Sequence, residues 1–501
     1  MRRKVITAFL VTSVLLFSGC SQTNTGGSTG AVSENSEESS IDTSDMFTER
    51  DLETAYDEEN STVIHLSDEG TTADSDGVQI SGSTVTITEA GTYLLSGKLS
   101  DGMVIVEAGD SDKVQLVLDG ADITSSASAA IYVRSGDKVF LTTAEGSENS
   151  LTNGGTYTNI DENNIDSVIF SKSDLTLNGS GTLKITAHAG HGIVSKDDLV
   201  LTGGTYEIQA AEHGISGKDS VRIAGGTYTI VSGEDGIHAK NTDDTSKGFV
   251  YIENGSFHIT AGDDGIHADS SVFIAGGTIE IAESYEGIEG LSIDITGGEI
   301  DLTASDDGLN AAGGNDSSGT EGPGGGDQFA SVEGAYIQIS GGTLHVNASG
   351  DGIDSNGDLT VSGGETYVSG PTDSGNGALD YNGTATISGG ILVAAGSSGM
   401  AQNFGESSTQ GVMMVTVDTQ SAGSEIALLD SQEQTLVSWN ADKEYTMVVV
   451  SCPELTEGQT YTLTTGTKSQ QITMDSLVYG ESREMGGPSG GSGPTGRDRR
   501  R

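Results

Sequence analysis

The chain has 501 residues, of which 74 are acidic and 22 basic, for a formal charge of −52. A field of that sign repels nucleic acid and anionic membrane surfaces and attracts cations, so both are set aside as partners. Gly accounts for 74 residues, Pro for 5 and aromatics for 5%, which excludes collagen-like and Pro-rich chains and points to strands and tight turns.

The N-terminus opens with Met1-Arg2-Arg3-Lys4, followed by an apolar run from Val5 to Phe17. That run falls short of the roughly 20 apolar residues a membrane-spanning helix needs. It ends in Leu16-Phe17-Ser18-Gly19-Cys20, which resembles the lipobox of bacterial lipoproteins. The resemblance implies cleavage before Cys20 and lipidation of its thiol; a plain signal peptide is the alternative, and export follows from either. Residues 1–20 are expected to be a lipoprotein signal peptide and 21–60 a flexible acidic tether, since that stretch has few large apolar residues. With Cys20 in the leader, Cys452 has no intrachain partner, so there is no disulfide framework and no cysteine zinc site.

A repeat then dominates. Turn glycines fall at 204, 226, 255, 277, 298, 342 and 364, and a Gly-Ile or Gly-Leu step falls at 192, 214, 236, 265, 287, 308 and 352. Both series advance by 21 or 22 residues except at two insertions, Asn241 to Lys247 and Gly313 to about Val332. Both insertions follow the same corner, as loops on the binding face of a repeat commonly do. Each unit carries three short extended pieces, for example Val221–Ile223, Thr227–Ile230 and Gly236–His238. Three strands in roughly 22 residues predict an all-β, right-handed parallel β-helix over 61–405. The Leu-x-x-Leu-x-Leu frame of leucine-rich repeats is missing, and a β-sandwich would not hold one spacing for so long. From Gly411 the strands lengthen, which predicts a C-terminal β cap over 406–480 containing the only Trp, Trp439; 481–501 is a Gly-rich basic tail.

Stacked rungs align two polar columns. The position before the Gly step reads His191, His213, Asp235, Asp264, Glu286, Asp307 and Asp351, often preceded by another acid such as Asp263 or Asp306. The position after the step reads His238, His267, Glu289, Asn310, Asp354 and Asp380. Carboxylates stacked this closely repel unless a cation neutralises them, and Ca²⁺ takes 6–8 oxygen ligands. Asp235, Asp263, Asp264, His267, Glu286, Asp306, Asp307, Asp351 and Asp354 are therefore candidate Ca²⁺ ligands; Zn²⁺ is second, because His238 and His267 can join carboxylates. The bland alternative is a solvated acidic ridge. Lys196, Lys218 and Lys240, in register, are candidates for contacting sugar carboxylates, with surface ion pairing as the simpler role.

The lipobox, GEDGIHAK, AGDDGIHADS, ASDDGLNAA and ASGDGIDSN together resemble the clostridial carbohydrate-binding β-helix proteins, a calcium-binding group related in fold to polysaccharide lyases. The resemblance covers about 61–479 and implies binding of cellulose and polygalacturonate with Ca²⁺ in the rungs, held here by Asp235, Asp263, Asp264, Asp307 and Asp351. The expected function is calcium-dependent capture of a polysaccharide by a monomer held at the extracellular face through Cys20. Two alternatives stand beside it: a lyase with a Lys base, and a structural adhesin stiffened by Ca²⁺. A repetitive lysine column is what a structural ladder would show, which weighs against the lyase.

Overall fold

Each repeat unit supplies three strands because its apolar residues alternate over only three to six positions before a glycine turn interrupts them. Ser220–Ile223, Thr227–Ser232 and Ile237–Ala239 are one such set. Gly226 makes the turn between the first two at φ +119°, a region that residues with a Cβ rarely enter. The computed structural model describes residues 43–158, 160–312 and 331–481. The Gly-rich insertion expected at 313–332 lies almost wholly outside the described residues, as does most of the 481–501 tail.

Each strand pairs in parallel with the equivalent strands of the preceding and following units. Ser220–Ile223 lies between Asp198–Leu201 and Phe249–Ile252, Thr227–Ser232 between Thr205–Ala210 and Ser256–Thr260, and Ile237–Ala239 between Ile215–Gly217 and Ile266–Ala268. Among the described residues this produces one sheet of 13 strands and one of 27. The larger sheet combines two ladders joined through Lys113–Ser125, whose first half pairs with Lys138–Thr143 and whose second half pairs with Glu148–Asn153. The chain is therefore all-β with long parallel sheets, as its periodicity predicts.

Parallel pairing in fixed register stacks like on like. Ile193, Ile215, Ile237, Ile266, Ile288, Leu309, Ile353 and Leu379 form one unbroken column, each at most 1% exposed. Full burial of each such side chain contributes about 1.5–3 kcal/mol. The glycine before every one of these aliphatics except Leu379, which follows Ala378, is needed for close approach. A Cβ on Gly236 would lie 2.5 Å from Ile259 Cγ2 and 2.7 Å from the Gly265 carbonyl of the next unit.

At the C-terminal end the pattern changes. Ile391–Gly396 pairs antiparallel with Tyr445–Ser451, which pairs antiparallel with Val412–Gln420. A separate four-stranded sheet comprises Glu425–Leu429, Thr435–Asn440, Thr460–Thr465 and Lys468–Thr473. Trp439 packs half-buried against an apolar cluster that includes Val415, Ile426, Leu428 and Val448, and Cys452 is fully buried within it. Burial pushes the Cys452 thiol up to about 11, so it behaves as a small apolar group.

Part of the stretch 21–60 packs on the sheets. Residues 46–53, assigned to the tether on composition, form a strap across successive strands of one ladder. Phe47 packs on Tyr251 at 5.9 Å between ring centroids, and Arg222 donates to the Met46 carbonyl at 3.1 Å. Thr202 and Asn178 donate to the Asp51 carbonyl. Arg50 lies 4.2 Å from the Phe140 ring centroid and donates to Gln115. Thr48 caps the one-turn helix Glu49–Leu52 reciprocally with Asp51. Composition averaged over forty residues hides eight whose partners are supplied by distant strands.

Asp51 fixes the strap. It is 1% exposed, 2.7 Å from Lys138 Nζ, and accepts from Thr176 at 2.6 Å. Burial opposes its ionisation, but Lys138, Thr176 and Thr48 outweigh burial and hold the carboxyl at about 2, below its ordinary 3.8. Ionisation is thus easier in the folded state, so this contribution is present above about pH 4 and disappears as the pH falls toward 2. Asp51→Asn is expected to cost about 3 kcal/mol at neutral pH by stranding buried Lys138. The difference from the parent in thermal unfolding should shrink across that acid window; a pH-independent difference would contradict the pairing.

Candidate functional site

The column before each Gly step is built by a hydrogen-bond rule that runs from unit to unit. His191 Nδ1 accepts from the backbone N–H of His213 at 3.1 Å, and His213 Nδ1 from that of Asp235 at 3.2 Å. Asp235 Oδ1 accepts from Asp264 N–H at 3.1 Å, and Asp264 Oδ1 from Glu286 N–H at 3.3 Å. Farther along, Asp307 Oδ1 accepts from Asp351 N–H at 2.6 Å, and Asp351 Oδ1 from Gly377 N–H. Histidine Nδ1 and aspartate Oδ1 are both bonded to Cγ and reach the same point, which is why the two residue types interchange here. One acceptor per side chain therefore serves the backbone, leaving the second aspartate oxygen or the far imidazole nitrogen. In His191 and His213 that far nitrogen, Nε2, faces Glu212 at 3.0 Å and Glu234 at 3.2 Å.

The second column runs in register as His238, His267, Glu289, Asn310, Asp354 and Asp380. Each is the middle residue of a three-residue strand and so points away from the aliphatic column. His238, His267, Glu289 and Asn310 are nevertheless buried. The two columns meet in a cleft of about 420 Å³ that brings together Asp235, His238, Asp263, Asp264, His267 and Glu286. The cleft also contains Glu289, His213, Glu234 and Tyr285, which were not selected as site residues. Glu289 and His213 were legible as members of the columns. Glu234 and Tyr285 share the position two before the Gly step with Asp263 and Asp306, and the Tyr285 backbone bonds to both of those; Tyr285 alone among the four is not an acid there.

Asp306, Asp307, Asp351 and Asp354 form a second corner farther along. Oxygens of Asp307, Asp351 and Asp354 lie within 4.8 Å of one another. Gly350 makes room for this corner, since a Cβ there would collide with Oδ1 of both Asp306 and Asp307. The lysine column is not drawn into either corner as a set. Lys196 pairs with Asp166 at 3.7 Å, Lys218 with Asp243 at 2.9 Å and Lys240 with Asp269 at 3.9 Å; Lys240 also lines the cleft. Cys20 lies outside the described residues.

The electrostatics of the corners are strained in opposite directions. Burial, then Glu289, Asp264 and Asp307, push the Glu286 carboxyl up to about 11. Burial and the neighbouring carboxylates Asp351 and Asp354 push Asp307 well above the usual range, and Asp351 rises to about 7. Asp235 is the exception: the His213 contact outweighs its burial and holds it at about 2. Burial drives His238 well below its ordinary value. In His267 the contacts to Asp264, Asp269 and Glu289 overcome burial and raise it to about 12. Crowded carboxylates of this kind are relieved by protons or by cations.

Residues 81–324 match a family model described as carbohydrate-binding domain-containing protein. A carbohydrate-binding domain-containing protein of Acetivibrio thermocellus is 33% identical over 210 residues, 42% of this chain and 65% of that protein. The chain thus spans somewhat less than two thirds of that relative's length. The solved polysaccharide lyase-like protein from C. thermocellum, a gadolinium derivative, is 34% identical, with a TM-score of 0.43 over 50% of this chain and 96% of its own. The family match contains the whole cleft from His213 to Glu289 and ends before Asp351 and Asp354.

The acceptor rule makes a direct prediction. Asp235→Asn keeps an oxygen for the Asp264 N–H, loses only the anion's contact with His213, and should retain more stability than Asp235→Ala. Asp235→Ala leaves that buried N–H unpaired and should cost about 1–3 kcal/mol. Chemical denaturation of the two variants decides; equal losses would show that charge, and not the acceptor, is what the position needs.

Proposed function

We propose that the chain is a calcium-dependent polysaccharide-binding protein, exported and held at the extracellular face of the membrane by a lipid on Cys20. In this reading the three ladders close into the rungs of a right-handed parallel β-helix, and the C-terminal antiparallel strands cap its last parallel edge. The reading that the chain binds carbohydrate is supported by the match of residues 81–324 to a carbohydrate-binding family. The reading that calcium mediates binding is supported by the oxygen-only set of Asp307, Asp351 and Asp354, whose ligand atoms lie within 4.8 Å of one another.

The donor chemistry fits calcium. Each carboxylate offers an oxygen beyond the one used by the backbone, and Ca²⁺ accepts such oxygens together with carbonyls and water in flexible geometry. A bound ion would offset the burial and the neighbouring carboxylates that together raise Asp307 and Asp351. It also gives a chain of charge −52 a means of approaching a polyuronate, because an ion shared between protein and sugar carboxylates replaces repulsion with attraction. An acidic polymer such as polygalacturonate is thus the favoured ligand. Lys196, Lys218 and Lys240 each pair with an acid, which weighs against any of the three as a lyase base.

A pull-down on insoluble polygalacturonate tests the reading. Binding is expected with Ca²⁺ and not in excess chelator. Asp307→Asn or Asp351→Asn should raise the apparent Kd about tenfold or more, equivalent to about 1.4 kcal/mol. Full retention in chelator would overturn the calcium requirement, and release of unsaturated sugar during incubation would restore the lyase.

A further inference from the structure

Ten buried side-chain nitrogen and oxygen atoms among the described residues have no hydrogen bond, and five of them belong to consecutive members of one column. They are both ring nitrogens of His238, Nε2 of His267, Oε1 of Glu289 and Oδ1 of Asn310. Buried polar atoms are normally satisfied, and a run of unsatisfied ones along one column, three of whose four residues line the cleft, calls for a ligand. His238 is the sharpest case. It is 9% exposed, lines the cleft, and has no hydrogen bond on either nitrogen, although Nδ1 lies 3.4 Å from Asp235 Oδ2.

We propose that the cleft between His238 and His267 is a binding site for a divalent transition ion of the Zn²⁺ class, with carboxylate oxygens drawn from Asp235, Asp264 and Glu289. The site is distinct from the oxygen-only corner at Asp307, Asp351 and Asp354, and does not depend on calcium binding there. Three observations converge on it. The two histidines are register partners on adjacent strands, with ring centroids 5.1 Å apart. Ligand atoms of Asp264, His267 and Glu289 lie within 4.8 Å of one another and all three residues are buried; the same spacing holds for His213, Asp235 and His238. His267 Nδ1 is already 3.0 Å from Asp264 Oδ2 and 2.6 Å from Glu289 Oε2, so carboxylates and imidazole converge on one point.

Donor type favours the histidine-containing sets of the cleft over its oxygen-only set of Asp235, Asp263 and Asp264 as the transition-ion site, and separates them from the corner at Asp307. Imidazole nitrogen with carboxylate oxygen suits Zn²⁺ and its neighbours in the first transition row, whereas Ca²⁺ and Mg²⁺ prefer oxygen alone. The backbone rule in the preceding column explains why His238 is available. His191 and His213 each accept an amide N–H at Nδ1, but His238 and His267 lie after the Gly step, where no such bond falls on their rings. A structural role of the kind His213 plays is thereby excluded for His238.

The test is isothermal titration of the full chain, stripped with chelator, using Zn²⁺ alone and Ca²⁺ alone. Tight Zn²⁺ binding that persists in millimolar Ca²⁺ is expected. It should weaken by more than about 100-fold in His238→Gln and Glu289→Gln, beyond the loss typical of an outer-shell partner. It should be unchanged in Asp351→Asn. Co²⁺ in place of Zn²⁺ should give visible absorption that both cleft variants lose. Zn²⁺ binding that is absent, displaced by Ca²⁺ or equally strong in the cleft variants overturns the proposal. Circular dichroism in chelator identifies a variant that fails to fold, and the Ca²⁺ competition on the parent chain then decides by itself.

Discussion

The repeat region depends on parallel strands stacked in a register that shifts at only a few places among the described residues. At a spacing of about 4.8 Å between neighbours, whatever stands at one position of a unit stands directly against its counterpart in the next. For isoleucine this is favourable at every step, and it produces an unbroken core column with no special design. For aspartate the same geometry is costly. Two unit charges at that distance repel by about 3 to 4 kcal/mol at an effective dielectric constant of about 20. The fold therefore obtains its core cheaply and incurs an electrostatic cost wherever an acid repeats.

The chain meets that cost in several ways along a single corner. Histidine replaces aspartate at 191 and 213, supplying the same acceptor without a fixed negative charge. Asp235 is stabilised as an anion by His213, while Asp264 is set against His267. Glu286 is held to Asn310 through both its oxygens at 2.9 Å. Asp235, Asp263 and Asp264 also bring carboxylate oxygens together, but beside histidines; from Asp307 to Asp354 no histidine stands in either column. The corner thus changes its chemical preference along its length while its backbone stays the same.

Much of this was legible before any coordinates. The spacing of turn glycines fixed the repeat unit, and alternation within Thr227–Ile230 located its strands. Counting from each Gly step aligned His238 with His267 and Asp307 with Asp351. What could not be read has specific causes. The strap of residues 46–53 draws its partners from strands up to about two hundred residues away, so its local composition resembles a linker. Tyr285 stands in step with Asp263 and Asp306, but a search for repeating acids passes over the one unit whose residue there is a phenol. The backbone-acceptor role of the aspartates was invisible because an anion that accepts an amide hydrogen bond and an anion that binds a cation are spelled with the same letter.

The strap also bears on how the molecule carries load. Residue 46 lies against Ser220–Ile223 and residue 51 against Lys138–Thr143, so the chain enters partway along the ladder and runs back toward its beginning. Tension applied upstream of residue 46 consequently does not fall first on Thr62–Leu66, where strands could be peeled away one at a time. It is distributed laterally across several strands through the Arg222, Thr202, Asn178 and Lys138 contacts, which must yield together before any terminal strand is loaded. The eight residues act as a mechanical clamp, and the acid-sensitive Asp51 is its pin.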